Sequence, residues 1–125
     1  MKAKSAKAKG RKLQNLVTET LREAFPSLDK DDVNSQIMGV SGEDIVMSPL
    51  AKKTIKMSFE CKNQERLNLW DSLEQAETNC EDRCPVLVFT RNRKPVYAAI
   101  PFDELINLIK EKKCTKTPTK SRKRK

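Results

Sequence analysis

Glu60-Cys61-Lys62 sets a carboxylate and an ammonium two residues apart within KMSFECKNQE, residues 56–65. On an extended strand this spacing points both side chains to one face and Phe59 and Cys61 to the other. A second acid, Asp44, follows Gly42 where another apolar stretch, DIVMS, begins. If the two strands are neighbours, Asp44 and Glu60 face one another at the end of a sheet. Carboxylates that close repel unless something neutralises them. A divalent cation does so, and magnesium suits one or two carboxylates completed by water and phosphate. Lys62, on the same face as Glu60, could then hold or polarise a water beside the ion. The chemistry within reach is metal-assisted hydrolysis.

The triplet alone carries little weight. A second one, Glu111-Lys112-Lys113, stands near the basic C-terminus, and two copies are about what this composition gives by chance. An acid and a lysine on one strand face ordinarily form a solvated ion pair. Context separates the first copy: an acid on the preceding strand, a glycine turn before that acid, and a helix after the triplet. The 125 residues include no histidine, which removes the usual general base and any Ser-His or Cys-His nucleophile pair.

These side chains need elements to position them. Leu13, Leu16, Val17, Leu21 and Ala24 follow helical spacing between Arg11 and Phe25, and Pro26 stops the run. SLDKDDVNSQ reads as a loop or irregular turn, and QIMGVSGED as a short strand with a glycine turn. DIVMS is a second strand ended by Pro49, LAKKTI a connector, and KMSFECK a third strand. Leu67, Trp70, Leu73 and Ala76 predict an amphipathic helix, with Trp70 in the core or a dimer contact rather than stacking on a base. PVLVFT and PVYAAI predict a hairpin around the polar turn RNRK, and PFDELINLIKEKK a final helix begun near Pro101. The resulting fold class is α/β, a mixed sheet flanked by helices.

Charge is distributed unevenly. The net charge is +9, yet residues 13–109 hold 11 Lys/Arg against 16 Asp/Glu, a net of −5. The excess lies in residues 1–12 and 110–125, which suggests a basic disordered arm over 1–12, a domain over 13–112, and a basic disordered tail over 113–125. Such arms would neutralise phosphates and hold a polyanion by counterion release. No apolar run reaches the length of a membrane span and no signal-peptide core is present, so a soluble, cytoplasmic protein is expected. Cys80 and Cys84 would need Cys61 and Cys114 to complete a zinc site, but one falls on a core strand and the other at the edge of a tail. Reduced, inert thiols are the better account.

GED at 42–44 followed by FECK at 59–62 resembles the PD-(D/E)xK nuclease superfamily, and the element order α-β-β-β-α-β is that family's restriction-endonuclease-like core. The similarity spans roughly residues 10 to 110. It extends to small phage-encoded endonucleases and, in brevity, to archaeal Holliday junction resolvases. The resemblance implies Asp44, Glu60 and the backbone carbonyl of Cys61 as ligands of Mg2+, with Mn2+ as a substitute, and Lys62 as the residue that positions the attacking water. It further implies Glu19 completing the acidic cluster and Gln75 orienting Lys62 or the phosphate. Glu43 replaces the family's proline, which makes it a rival ligand. Neighbours on a strand face opposite ways, and Asp44 is preferred because Ile45 to Met47 continue the strand after it.

Contacts to DNA are expected from Lys9, Arg11 and Lys12 on the arm, and from Ser41 in the glycine turn. Asn63 at the strand end and Arg91, Arg93 and Lys94 on the hairpin turn complete the set. Each also has an ordinary structural role open to it, as turn, cap or solvated charge. The function these readings imply is metal-dependent hydrolysis of DNA phosphodiesters. Branched or structured DNA is the expected substrate, and a homodimer the expected assembly, because one site handles one strand. The rival is a non-catalytic nucleic-acid-binding protein whose tails do all the binding.

Overall fold

The computed structural model describes residues 3–114. Helix α1 (Ala3–Ala24) begins eight residues before the predicted Arg11 start. Residues 3–12 are therefore helical rather than a disordered arm, because alanine and lysine are both strong helix formers. Its buried stripe is Leu13, Gln14, Val17, Thr18 and Leu21. Residues 115–125 of the expected tail lie outside the described residues.

A single 3-10 turn (Lys30–Asp32) leads into β1 (Val33–Ser35), which pairs antiparallel with β2 (Ile45–Met47). The first strand thus lies within the segment expected to be loop, and QIMGVSGED, expected as strand, is mostly the connection. Gly39 and Gly42 both take positive φ, 90° and 106°, a backbone no ladder tolerates, and Ile37 and Val40 are exposed. α2 (Pro49–Ile55) replaces the predicted connector. Ser48 caps it by accepting a 3.1 Å hydrogen bond from Ala51 N–H, and Pro49 occupies its first turn.

The second sheet contains β3 (Met57–Asn63), β4 (Cys84–Thr90) and β5 (Tyr97–Ala99), with β3 at an edge. β3 and β4 run parallel, joined by the crossover helix α3 (Leu69–Asn79), and β5 returns antiparallel to β4. Phe59, Cys61, Val86 and Val88 meet the α1 stripe and Val33, Ile45 and Met47 in the main core. The opposite face carries Glu60 and Leu87, under α3. There α3 buries the small side chains Ser72 and Ala76, which leaves Trp70 77% exposed rather than in the core. α4 (Phe102–Cys114) follows Pro101 and exposes Phe102, Leu105, Ile106 and Ile109. This is the expected α/β, restriction-endonuclease-like architecture with one short helix inserted between β2 and β3. No helix among the described residues is long and apolar enough to cross a membrane.

Candidate active site

β2 and β3 share no backbone ladder. What joins them is a side chain: Asp44 Oδ2 accepts a 2.7 Å hydrogen bond from the Cys61 N–H. In a pleated strand one residue's N–H and C=O leave by the same edge. Lys56 C=O and Gln64 N–H both bond to β4, so the even-numbered residues of β3 turn their backbone to that neighbour. Cys61, an odd position, therefore turns its carbonyl to the open edge, beside Asp44.

Glu60 and Lys62 share a face, with Lys62 Nζ 3.9 Å from Glu60 Oε2. The ordinary alternative, a solvated ion pair, does not hold for Glu60, whose side chain is 2% exposed because α3 covers it. Burial, with Asp44 nearby, pushes its carboxyl up to about 7, against the opposing pull of Lys62 and the Asn79 amide. Burial raises Asp44 too, offset in part by the Cys61 N–H, Lys62 and the Gln14 amide. The Cys61 thiol is pushed up by burial and the two carboxylates, and so stays protonated within the core.

Asp44, Glu60, Cys61, Lys62, Asn63 and Gln75 line one cavity of about 300 Å³ between α1 and α3. Lys7 and Gln14 of α1 close it from the other side. Three buried acceptors on its walls lack a hydrogen-bond donor: Gln14 Oε1, Glu60 Oε1 and Asn63 Oδ1. Unsatisfied oxygens gathered around two carboxylates suit a hydrated cation. Among the described residues no group of three or more His, Cys, Asp or Glu could hold a metal ion. The acidic ligands on offer are a pair, within the one or two carboxylates that magnesium takes beside a phosphate.

Glu43 points elsewhere. Its carboxylate takes both terminal nitrogens of Arg83, 4% exposed, which also reaches Glu81 Oε1 at 2.9 Å and Met57 O at 3.3 Å. Glu43 thereby holds the guanidinium charged and fixes the chain one residue before Asp44. Glu19 is not brought to the cavity. It is 68% exposed and pairs with Arg22 at 3.6 Å, outside the buried stripe of α1. Gln14 occupies the place intended for it. A polar residue in an otherwise apolar helical stripe was the signal that could have found Gln14. Asn79, which donates to Gly42 O at 3.3 Å, gave none.

Lys9, Lys12, Asn63, Arg91, Arg93 and Lys94 border a second cleft of about 390 Å³, adjoining the first through Asn63. Asn63 Nδ2 donates to Lys9 O at 3.2 Å, so the strand end is tied to α1 and caps no helix; Asn68 caps α3. Glu65 pairs with Lys9 at 3.8 Å and accepts from Asn92 N–H at 2.6 Å, bracing the hairpin turn against α1. Arg11 and Ser41 are exposed and line neither cavity.

Residues 6–125 match the model of a family described as "Phage putative PDDEXK endonuclease". No curated protein and no solved structure matches the chain.

Proposed function

The chain belongs to that family of phage PDDEXK endonucleases, and from this premise we propose that it is a metal-dependent endonuclease hydrolysing DNA phosphodiesters on branched or structured DNA. The carrying observation is that Asp44, Glu60 and Lys62 line one cavity together with donor-less acceptor oxygens. Asp44, Glu60 and the Cys61 carbonyl would hold the cation, Mg2+ by preference and Mn2+ in its place. Bound there, it would neutralise the pair, polarise the scissile phosphate and acidify a water.

The chain's own residues do the rest. The Cys61 N–H keeps one Asp44 oxygen fixed, so the carboxylate enters the reaction already oriented. Lys62 Nζ donates to the attacking water and fixes its line of approach to phosphorus. As the new P–O bond forms and the bond to the leaving oxygen breaks, the ammonium also faces the charge that builds on the phosphoryl oxygens. Gln75, on the cavity wall, orients the phosphate or Lys62. The cleft between α1 and the hairpin turn clamps flanking phosphates with Lys9, Lys12, Arg91, Arg93 and Lys94, overcoming the repulsion of the acidic body for DNA. Residues 113–125 add sequence-independent affinity. Such an enzyme would act in the cytoplasm of the host cell.

A homodimer fits the need to cut two strands. Its support is the apolar stripe Phe102, Leu105, Ile106 and Ile109 on α4, exposed near Trp70 and Phe102's shared groove. A panel of four-way junction, flap, duplex and single-stranded DNA, incubated with Mg2+ and with chelator, tests the reading. Cleavage of the branched substrates with Mg2+ alone is expected. Tight binding without cutting under any metal would favour the non-catalytic alternative.

A further inference from the structure

Lys62, Phe89 and Tyr97 occupy one rung of the three-stranded sheet: Lys62 is in register with Phe89, and Phe89 with Tyr97. Residues in register point to the same face. The lysine and the two rings therefore stand in line, with Tyr97 about 10 Å from Lys62 at two strand spacings. The two rings stack, with centroids 6.1 Å apart and planes 29° from parallel, and Tyr97 is 58% exposed. They form the floor of a cavity of about 600 Å³ lined also by Leu67 and Leu69 and by Arg91 and Lys94, with Glu65, whose carboxylate pairs with Lys9, beside them. Gln64 lines both this cavity and the acidic one. Arg91 and Lys94 line both this cavity and the basic cleft.

An aromatic floor with a cationic rim, continuous with a site that handles phosphodiesters, complements the two ends of a nucleotide: a flat π-face and a phosphate. We propose that the Phe89–Tyr97 floor seats an unpaired nucleobase of the DNA strand being cut, with its phosphate on Arg91 and Lys94. In a duplex both faces of each base are covered by its neighbours in the stack, so the rings cannot reach them. The seat thus selects DNA with an unpaired nucleotide next to the scissile bond. This rests on the nuclease reading above and names its substrate class.

The test is a binding titration in chelator, where nothing is cut. A gapped DNA carrying 2-aminopurine at the unpaired position is compared with a fully paired duplex carrying it at the same place. The protein is expected to quench the probe in the gapped DNA only. Tyr97→Ala should abolish the quench and weaken gapped-DNA binding by roughly tenfold. Tyr97→Phe should keep both, and duplex affinity should hold throughout. The seat is overturned if quenching survives Tyr97→Ala, if both DNAs weaken alike, or if Tyr97→Ala changes the oligomeric mass and so marks the floor as a contact between copies. A Tyr97-dependent quench without cleavage under Mg2+ sinks the nuclease reading and leaves the seat standing. Cleavage with no effect of Tyr97 on binding sinks the seat alone.

Discussion

Asp44 Oδ2 lies 2.7 Å from the backbone nitrogen of Cys61, the residue between Glu60 and Lys62. The acid just before β2 is thus locked to the middle of the triplet on β3. Asp44→Asn keeps the size but not the charge, and Lys62→Ala removes the ammonium. Each should lower the cleavage rate by about 10²- to 10⁴-fold while DNA binding in chelator stays within threefold for Lys62→Ala and is equal or tighter for Asp44→Asn. Single-turnover cleavage and a filter-binding titration read the two separately.

Gln14 and Glu19 sit on the same helix and make opposite predictions. Gln14→Leu should lower cleavage by roughly 10- to 100-fold and raise the Mg2+ concentration giving half-maximal activity. Its effect on unfolding should stay within about 1 kcal/mol, because losing the donor-less acceptor favours the fold while losing the amide's bond to buried Asp44 opposes it. Glu19→Gln, outside the cavity, should leave activity within twofold.

Glu60 carries a carboxyl raised from the ordinary 4.5 to about 7. A raised carboxyl means the metal-free fold prefers the proton. Its contribution to stability is fully present below about 4.5 and is lost as pH rises through about 7. Denaturant titrations should therefore find metal-free Glu60→Gln more stable than the parent at pH 8 and equal to it near pH 4. Adding Mg2+ at pH 8 should raise the melting temperature of the parent but not of the variant, since the cation binds the ionised form.

Arg83 bonds Glu43, Glu81 and the Met57 carbonyl from a buried position. Arg83→Met strands the Glu43 carboxylate and should cost about 3 kcal/mol in urea unfolding. Cleavage should fall with it at temperatures where the variant is still folded, because Asp44 loses its fixed neighbour.

Arg91 and Arg93 face the basic cleft. Alanine at either should reduce the slope of log affinity against log salt by about 1, with the loss of affinity alike for all DNA sequences.

β3, β4, β5 and α3 were legible in the sequence because alternation, a β-branched run and i, i+3 spacing are local signals. β1 was not, since a three-residue strand holding one buried valine gains its stability from pairing with β2 rather than from its own composition. The Asp44–Glu60–Lys62 grouping was visible in residue type and spacing. The burial of Glu60 was not, because α3 covers that face with Ser72 and Ala76, and small residues in a helix announce nothing about how closely it lies. Gln14 and Glu19 differ by five positions on one helix, which turns the second away from the cavity that the first faces. The hydrophobic stripe already held that rotation, had Gln14 been counted as part of it.

β3 is an edge strand, yet its outer side is not left to water. Asp44 takes the Cys61 N–H there and Arg83 takes the Met57 carbonyl. An edge with free donors and acceptors invites another molecule's strand to add to it. Here a charged side chain answers at each of those two points, and an added strand would have to displace both to pair there. The carboxylate proposed to hold the cation therefore also guards the open side of β3 against edge-to-edge pairing between copies of the chain.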